Sequence, residues 1–424
     1  MADYTANSLA QLNAALIAIG SGGGKTIDLA SGVIATGSIG SNLTFSSPVI
    51  VTGAGTLATV LKGWTIMDRC RGIEFHNIDF YRDDSTVNSV VELEGQCDIA
   101  MVGCNVHGIY RDPNADWTAG GYTNCVGIRG SNNGGYPLGF RFEDGKIYDC
   151  LEGLVTRIAG ASGVIVKNSE VYHTYSDTIK ITPMLAGLTA PKHFIDVKFH
   201  SFVGDPENVD NPHIDLIQFQ SVAENDGVEV SNIIARRIIA WEGSGGVGRL
   251  IQGVVTFTEG GYTMITRDPI VEGCYFLLAE QHAITFANTI GGTFRNNTIA
   301  LPSPTYETGY PNAKSQAIIY GSGTITITDN IIDVLDTGGS ATFVNSGNVI
   351  MGNRGSVYSF ASTFDGPTWL PHSASEVVTK FASKVGGPAE GKGASAFAGG
   401  LPPDPDPVLP VLSATSITLR ISPP

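Results

Sequence analysis

The sequence lacks the features that mark several common classes of protein. Only 15% of its 424 residues are charged, and its 25 Lys and Arg form no basic run that would follow a nucleic-acid backbone. No apolar run reaches the roughly 18 residues that a membrane-spanning helix needs. The first residues show neither the basic start nor the apolar stretch of a secretory signal. We therefore expect no nucleic-acid partner, no membrane insertion and synthesis in a cytoplasm.

Cysteine is also scarce, and its spacing is uninformative as a motif. The six cysteines form no CxxC pair and match no zinc-site spacing. A disulfide framework is not indicated, so we expect free, mostly buried thiols, as in proteins made in a reducing compartment.

One segment has a clear helical pattern. Ser8 and Gln11 are spaced as a capping box, and apolar residues follow at helical spacing as far as Ile19. A cluster of glycines then ends the helix. No comparable helix separates the later strands, which argues against a parallel α/β sheet.

Short alternating β-type runs, broken by Gly, Asn or Asp, fill most of the remaining chain. Their corners are unevenly spaced, as in a coil of constant size with loops inserted on some turns. Asn and Gly tolerate the left-handed backbone of a sharp corner. The pattern predicts an all-β right-handed parallel β-helix; a pair of β-sandwiches is the alternative. The expected corners are Asn77, Asn105, Gly145, Asn168, Asp196, Asn232, Gly273, Asn297 and Asn330.

Composition divides the chain into four parts. Residues 1–30 form a capping helix and first strand, and 31–365 form the β-helix. Residues 366–400 contain a short helix, at 373–385, and a Gly/Ala-rich linker. Residues 401–424 are a Pro-rich linker followed by one alternating strand. Because a single strand is not stable alone, we expect it to dock on another copy or another protein.

The first part of the chain also carries a family resemblance. A leading helix, then Gly-Gly-Gly-Lys-Thr-Ile-Asp-Leu and Val-Ile-Val-Thr-Gly-Ala-Gly-Thr-Leu, is similar to the start of pectate-lyase-like β-helices, particularly the tail spikes of tailed phages. The similarity covers the pattern from about residue 5 to 365. It implies a protein that faces carbohydrate and that is often trimeric when it belongs to a phage. The signatures of polygalacturonases are absent.

Aligning the coils by their inward Ile positions predicts a column of polar side chains on one face. In strands, the residue after an inward Ile points outward. Neighbours in such a column lie about 4.8 Å apart, a spacing suited to an extended sugar chain. The expected column consists of Arg129, Thr156, Lys180, Gln218, Gln252 and Thr285.

Two carboxylates at strand starts are the candidate catalytic groups. Asp177 and Asp215, with His213 beside Asp215, fit the acid and base of a glycosidase. Alternatively, the two aspartates hold a cation while Lys180 removes a proton beside a uronate carboxylate. A structural alternative is that each aspartate caps a corner. By strict alternation Asp177 shares the inward side with Ile179, so it reaches solvent only if the corner breaks the alternation.

Aromatic residues in loops form a second set of candidates. Aromatic faces stack on sugar rings, and we expect Tyr175, Trp117 and Trp241 to contact substrate together with Arg129 and the glutamines of the column. No cofactor is expected. Calcium is left open as a ligand of the acidic residues Asp205, Glu207 and Asp210, although an exposed acidic loop is the simpler interpretation.

These observations favour a virion receptor-binding protein, a tail spike or fibre, that recognises bacterial surface polysaccharide, with or without cleaving it. The expected partners are that polysaccharide, two further copies of the chain, and virion proteins bound through residues 401–424. One alternative is a free, secreted polysaccharide lyase or glycoside hydrolase. The other is a structural or adhesive β-helix without catalysis.

Overall fold

The computed structural model describes most of the chain, with gaps at several connections and at the C-terminus. The described residues are 2–83, 89–110, 125–131, 135–202, 213–241, 250–257, 261–278, 282–301, 315–352, 360–364, 371 and 373–397.

The strands stack into three faces that run the length of a solenoid. The first face contains β4 (Ser38–Ser41), β7 (Thr65–Asp68), β10 (Ser89–Glu94), β13 (Val126–Ser131), β16 (Leu154–Ile158), β19 (Ile179–Pro183), β22 (His213–Gln220), β26 (Leu250–Phe257), β34 (Val334–Gly339) and the first halves of β30 (Ile284–Arg295) and β32 (Gln316–Thr328).

The second face continues from the first within one sheet. It contains β1 (Tyr4–Ala6), β2 (Thr26–Leu29), β5 (Thr44–Thr52), β8 (Arg71–His76), β11 (Asp98–Val102), β14 (Gly139–Glu143), β17 (Gly163–Lys167), β20 (Lys192–Ile195), β24 (Ile233–Arg236), β28 (Ile270–Glu272), β35 (Thr342–Ser346) and the second halves of β30 and β32, with β23 (Glu229–Val230) and β27 (Ile265–Arg267) at the edge between the faces.

The third face is a separate sheet. It contains β3 (Gly32–Ala35), β6 (Thr59–Lys62), β9 (Asp79–Tyr81), β12 (Asn105–His107), β15 (Lys146–Cys150), β18 (Glu170–Thr174), β21 (Lys198–His200), β25 (Ile239–Trp241), β29 (Tyr275–Leu277), β31 (Thr298–Ala300), β33 (Ile331–Ile332) and β36 (Val349–Ile350).

Each strand pairs in parallel with the strand of the same face on the next coil. Lys180 thus lies beside Gln218, and His107 lies beside Tyr148. The chain passes from the first face to the second, then to the third, and returns to the first on the next coil. Apolar side chains from all three faces meet in one continuous core. Parallel pairing throughout the named strands rules out the sandwich alternative and confirms the right-handed parallel β-helix.

A helix covers the N-terminal end of this core. Helix α1 (Leu9–Ile19) begins at Ser8, whose Oγ accepts a hydrogen bond from the Gln11 N–H at 3.3 Å. The Gln11 side chain in turn accepts from the backbone N–H of Asn7, at 2.8 Å. Leu12 and Leu16 are buried against the first coils. The capping box predicted from the sequence therefore forms, although the Gln11 side chain accepts from the backbone N–H of Asn7 rather than that of Ser8.

The corners between the second and third faces use a left-handed residue. Asn77, Asn168, Asp196 and Gly273 adopt positive φ, as the sequence pattern predicts. Elsewhere the left-handed residue precedes the expected one: Gly103, Asp144, Asn296 and Asp329 in place of Asn105, Gly145, Asn297 and Asn330. Asn232 also has positive φ, but it precedes β24 and so belongs to another corner. The pattern thus located most corners to within two residues.

Two of the displaced asparagines, Asn297 and Asn330, have a different role, because their side chains are buried inside the solenoid. Asn330 donates from Nδ2 to the carbonyl of Phe294 at 2.9 Å and to Oδ1 of Asn348 at 2.8 Å. Its own Oδ1 accepts from the backbone and side chain of Asn297, at 2.9 and 3.0 Å. Asn297 extends the same ladder to the Cys274 N–H. The ladder satisfies backbone groups that the turning chain would otherwise leave unpaired.

The segment after the solenoid folds back onto the third face. It contains α2 (Phe360–Thr363), α3 (Ala374–Lys380), which begins at Ser373, and a short 3-10 turn at Ala394–Phe397; two other such turns lie at Leu185–Gly187 and Ala223–Asn225. Val377 and Ala394 pack in a second apolar cluster with Trp241 and Val349. Residues 386–397 therefore cover the solenoid instead of forming the expected linker, because their small apolar residues have a surface to bury against.

The cysteines confirm the prediction of free, buried thiols. None of the six, all of them among the described residues, forms a disulfide, and all are buried. Burial raises the pKa of Cys70 to about 11 and the pKa values of Cys97, Cys104 and Cys274 to about 12. The thiols thus act as small apolar core residues.

We predict that Asn330→Ala destabilises the fold by about 3 kcal/mol, because it leaves buried backbone groups without partners. Urea denaturation checks this. Asn105→Ala is the control, since Asn105 is partly exposed on the third face; it should cost less than about 0.5 kcal/mol. Equal losses in the two variants would show that the ladder adds no stability of its own.

Candidate functional site

The first face is organised by one row of inward apolar residues. Strand register places this inward row at Ile128, Leu154, Ile179, Ile217, Val254 and Ile284. The sequence alignment had used Val155 and Ile251 in place of Leu154 and Val254. Val155 is adjacent to Leu154, whereas Ile251 lies three residues before Val254. All four residues are apolar, so the apolar pattern alone does not distinguish the inward ones.

The residues that follow the inward row form what we name the downstream row. Four of the expected column members lie in it: Arg129, Lys180, Gln218 and Thr285. Val155 and Val255 fill the two positions between them. The downstream row therefore combines two cations with hydrogen-bonding groups on successive coils, about 4.8 Å apart.

Thr156 and Gln252 do not belong to that row, which corrects the sequence prediction. Thr156 pairs with Ile181 of the core and is buried. Gln252 pairs with Asp215 and lies three residues before Val255, the true downstream residue of its coil. The one-residue and three-residue shifts follow directly from the misassigned inward positions.

A break in the alternation creates a second line of polar residues, which we name the upstream row. On β22 the adjacent residues Leu216 and Ile217 both enter the core. Asp215 therefore lies outside the apolar core, although it is two residues from Ile217. The corner breaks the alternation but does not expose the aspartates, since Asp177 and Asp215 are both buried. The inward row continues from Ile284 to Ala317 on the next coil. From Leu154 onward, the positions two residues before the inward row are Glu152, Asp177, Asp215, Gln252, His282 and Ser315.

The two rows meet at an ion pair. Oδ2 of Asp177 lies 2.6 Å from Nζ of Lys180, and these side chains are 11% and 22% exposed. The other Asp177 oxygen, Oδ1, accepts from the backbone N–H of Asp215 at 3.3 Å. Asp177 therefore does cap its neighbour coil, as in the structural alternative, while its second oxygen is the partner of Lys180. Asp215 itself is fully buried.

Glu152 is the site residue that sequence reasoning missed. It precedes Asp177 in the upstream row, and burial raises its pKa above the usual value. The positive charge of Lys180 opposes this rise, the negative charge of Asp177 adds to it, and Arg129 again opposes it. Glu152 lies two residues before the inward Leu154. With the strand register known, this position would have identified Glu152 as a site residue.

Other polar groups continue the upstream row. The side-chain oxygen Oε1 of Gln252 is buried and has no hydrogen-bond partner within the described part of the chain. One coil further, Nδ1 of His282 is 3.0 Å from the Thr285 hydroxyl, which joins the two rows. A buried acceptor without a partner is costly unless a ligand or water donates to it.

The remaining predicted contacts are not gathered here. Tyr175 is buried two residues before Asp177. Trp241 is on the third face, buried and stacked on His200 with ring centroids 4.5 Å apart. His213 begins β22, but its side chain lies outside the described residues, as do Trp117 and the acidic residues Asp205, Glu207 and Asp210.

Within the described ranges, no group of three or more His, Cys, Asp or Glu is arranged to bind a metal ion.

None of the helices that the structure describes is long and apolar enough to cross a bilayer.

Comparisons with known proteins add little to this geometry. No protein-family model matches the chain, and no curated protein does. Among solved structures, the chain resembles a PL6-family polysaccharide lyase from Pseudopedobacter saltans, with 12% sequence identity and a TM-score of 0.35. The alignment covers 84% of this chain and 94% of the lyase. This similarity assigns no residue role.

We predict that Glu152→Gln stabilises the protein at neutral pH. A carboxyl group whose pKa is raised by folding supports the fold while protonated, and that support is lost as pH rises through the folded pKa. Glutamine cannot ionise. The free energy of unfolding of the variant should therefore equal that of the wild type at pH 4 and be about 1 kcal/mol larger at pH 7.5. Urea denaturation at the two pH values measures the difference.

Glu229→Gln is the control of opposite sign. A hydrogen bond from Arg267 lowers the pKa of Glu229, so its replacement should bring no gain at pH 7.5. If Glu152→Gln changed the free energy of unfolding equally at pH 4 and pH 7.5, the raised pKa assigned to Glu152 would be wrong.

Proposed function

We propose that the first face binds a polysaccharide and hydrolyses its glycosidic bonds. The observation that carries the proposal is the contrast between neighbouring carboxyl groups of the upstream row. Glu152 has a raised pKa, whereas Asp177 lies 2.6 Å from the Lys180 amino group. A carboxyl group that favours its protonated form, next to a second carboxyl group in an ion pair, is a combination suited to acid–base cleavage of a glycoside.

In this mechanism Glu152, in its protonated form, gives its proton to the glycosidic oxygen. Asp177 attacks the anomeric carbon, and Glu152 then activates the water that releases the sugar. Neighbouring coils are about 4.8 Å apart. That spacing is close to the roughly 5 to 5.5 Å between the carboxyl groups of retaining glycosidases, so we assign retention of anomeric configuration.

The polar rows supply the binding surface for the glycan. Arg129 and Gln218 lie on the coils on either side of the carboxyl pair, and Gln252 presents an acceptor that a sugar hydroxyl would satisfy. The mixture of cations and neutral amides fits a glycan that carries both hydroxyl and anionic groups.

Uronate β-elimination is a second candidate, supported by the position of Lys180 between Arg129 and Asp215 along the face. In its ion pair with Asp177, Lys180 is an ammonium group and has no lone pair to accept a proton. Elimination would require a substrate that displaces Asp177, so hydrolysis is the primary proposal.

We predict that Glu152→Gln and Asp177→Asn each lower polysaccharide cleavage at least about 100-fold while glycan affinity stays within a few-fold. Release of reducing ends from a panel of bacterial surface polysaccharides measures cleavage, and calorimetry measures affinity. Glu143→Gln, on the second face, is the matched control and should leave both values unchanged.

The products of polysaccharide cleavage distinguish hydrolysis from β-elimination. Hydrolysis gives saturated ends, whereas elimination gives an unsaturated uronate that absorbs in the ultraviolet. An unsaturated product, lost in Lys180→Ala but kept in Glu152→Gln, would overturn hydrolysis in favour of elimination. Binding without cleavage by any glycan of the panel would support the adhesive alternative.

We further propose the finer role expected from the sequence, a trimeric tail-spike-like receptor-binding protein of a virion. The support is the resemblance at the start of the chain and the composition of residues 401–424, which lie outside the described residues.

Light scattering of the purified chain tests this role through its mass. We predict a mass three times the 44.5 kDa of the chain. A monomeric mass would favour the free enzyme over the spike. Deletion of residues 401–424 should leave glycan binding intact and remove incorporation into particles; unchanged incorporation would refute the attachment role.

A further inference from the structure

A second group of chemically complementary side chains lies on the third face, apart from the two polar rows. It consists of Glu170 on β18, His200 at the end of β21, and Ser201, which follows His200 directly. Glu170 and His200 are on adjacent coils, brought together by the pairing of Tyr172 with His200. We name these three residues the third-face triad.

The imidazole of His200 joins the other two members by hydrogen bonds. Nδ1 lies 2.9 Å from the Ser201 hydroxyl, and Nε2 lies 2.9 Å from Oε1 of Glu170. A carboxylate only accepts hydrogen bonds, so Nε2 carries the proton in the neutral imidazole. Nδ1 is then the acceptor for the serine O–H. This is the hydrogen-bonding order of a nucleophile, a general base and an orienting carboxylate.

The charge at Glu170 supports that order. Its hydrogen bond from His200 and its ion pair with Lys146, at 2.8 Å, lower its pKa to about 2, against a smaller opposing effect of burial. Glu170 is therefore ionised at any ordinary pH. An ionised carboxylate fixes the imidazole tautomer and stabilises the imidazolium that forms when His200 takes a proton.

Aromatic stacking holds the base in place. The His200 ring lies between those of Tyr172 and Trp241, with centroids 5.0 and 4.5 Å away and planes within 6° and 19° of parallel. These rings belong to a stack that extends along the face through Tyr148, His107 and Tyr81. Because each ring face is covered by the next, the stack offers edges rather than faces to solvent. It suits positioning of His200 better than sugar stacking.

The nucleophile position is at an open corner. Ser201 is partly exposed and has a left-handed backbone, with φ of 53°. His173 and Asp149 have the same conformation at the equivalent corners of the two preceding coils, so this geometry is the ordinary turn of the solenoid. It turns the chain away from the face immediately after His200. The Ser201 hydroxyl thus contacts the imidazole of His200 and belongs to a residue that solvent reaches in part.

We propose that the third-face triad is a second active site, a serine esterase that removes acyl groups from hydroxyl oxygens. Ser201 is the nucleophile, His200 the general base and Glu170 the positioning residue. The substrate class is a carboxylic ester of a small acyl group. Attachment of that acyl group to the glycan cleaved at the first face rests on the proposed function; the ester chemistry does not.

The reaction balances without a cofactor. Ser201 Oγ forms a bond to the ester carbonyl carbon as its proton passes to Nδ1 of His200. The bond between that carbon and the alkoxy oxygen breaks, and the His200 proton goes to the leaving alcohol. Water, deprotonated by His200, then attacks the acyl-serine. Its product is the free carboxylic acid, and the proton returns to Ser201.

A fluorophosphonate probe and p-nitrophenyl acetate test the proposal on the full chain without knowledge of the natural substrate. We expect the probe to label one serine of the wild type, identified as Ser201 by peptide mass. Ester hydrolysis should fall at least about 100-fold in Ser201→Ala. In Glu170→Gln the rate should fall and its pH profile should shift, which a merely structural carboxylate would not cause.

Ser162→Ala is the matched control. The Ser162 hydroxyl also contacts a carboxylate, Asp98 at 2.7 Å, and is partly exposed, but that contact involves no imidazole. Its replacement should change neither labelling nor hydrolysis. Circular dichroism and thermal melting establish that each variant is folded.

Two outcomes would overturn the esterase. One is a folded wild type that the probe leaves unlabelled at Ser201; the other is unchanged hydrolysis in Ser201→Ala. The first-face proposal is judged separately. Asp177→Asn should keep ester hydrolysis and lose glycan cleavage, and Ser201→Ala should do the reverse, so failure of one site does not imply failure of the other.

Discussion

The stacking of parallel strands, coil upon coil, is the constraint on which the rest of the structure depends. A single coil leaves the N–H and C=O groups of its strands unpaired, and only another coil about 4.8 Å away satisfies them. Equivalent positions of successive coils are therefore brought into contact along each face. The asparagine ladder, the aromatic stack and the two polar rows are all consequences of this repetition.

Because the coils repeat, the position of a residue within its coil predicts which side chains surround it better than the local sequence does. On β22, Asp215 lies two places before the inward Ile217 yet outside the apolar core, because the corner places Leu216 and Ile217 there. Glu152 and Asp177 share this position on neighbouring coils and so acquire complementary environments. His200 and Glu170 come together on the third face for the same reason, through the register of Tyr172.

The solenoid is stabilised by its interior, by a covering at its N-terminal end and by a covering on part of the third face. Buried cysteines and the Asn297–Asn330–Asn348 ladder fill corners where the backbone turns. Helix α1 covers the N-terminal end of the core, and residues 373–397 cover part of the third face. The polar rows of the first face stay separate from these coverings. The third-face triad lies beside one of them, since Trp241 stacks on His200 and also packs in the second apolar cluster.

The sequence by itself determined the fold class, the capping helix and most corners, because alternation and left-handed residues act over a few neighbours. It also placed Arg129, Lys180, Gln218 and Thr285 on one face. Only the tertiary structure decided the register. Strict alternation misassigned Thr156 and Gln252 and gave no reason to choose Glu152. Contacts between coils, such as Asp177 with Asp215 or His200 with Glu170, join residues some 30 to 40 positions apart. Their pairing depends on loop lengths and bends that local patterns do not encode.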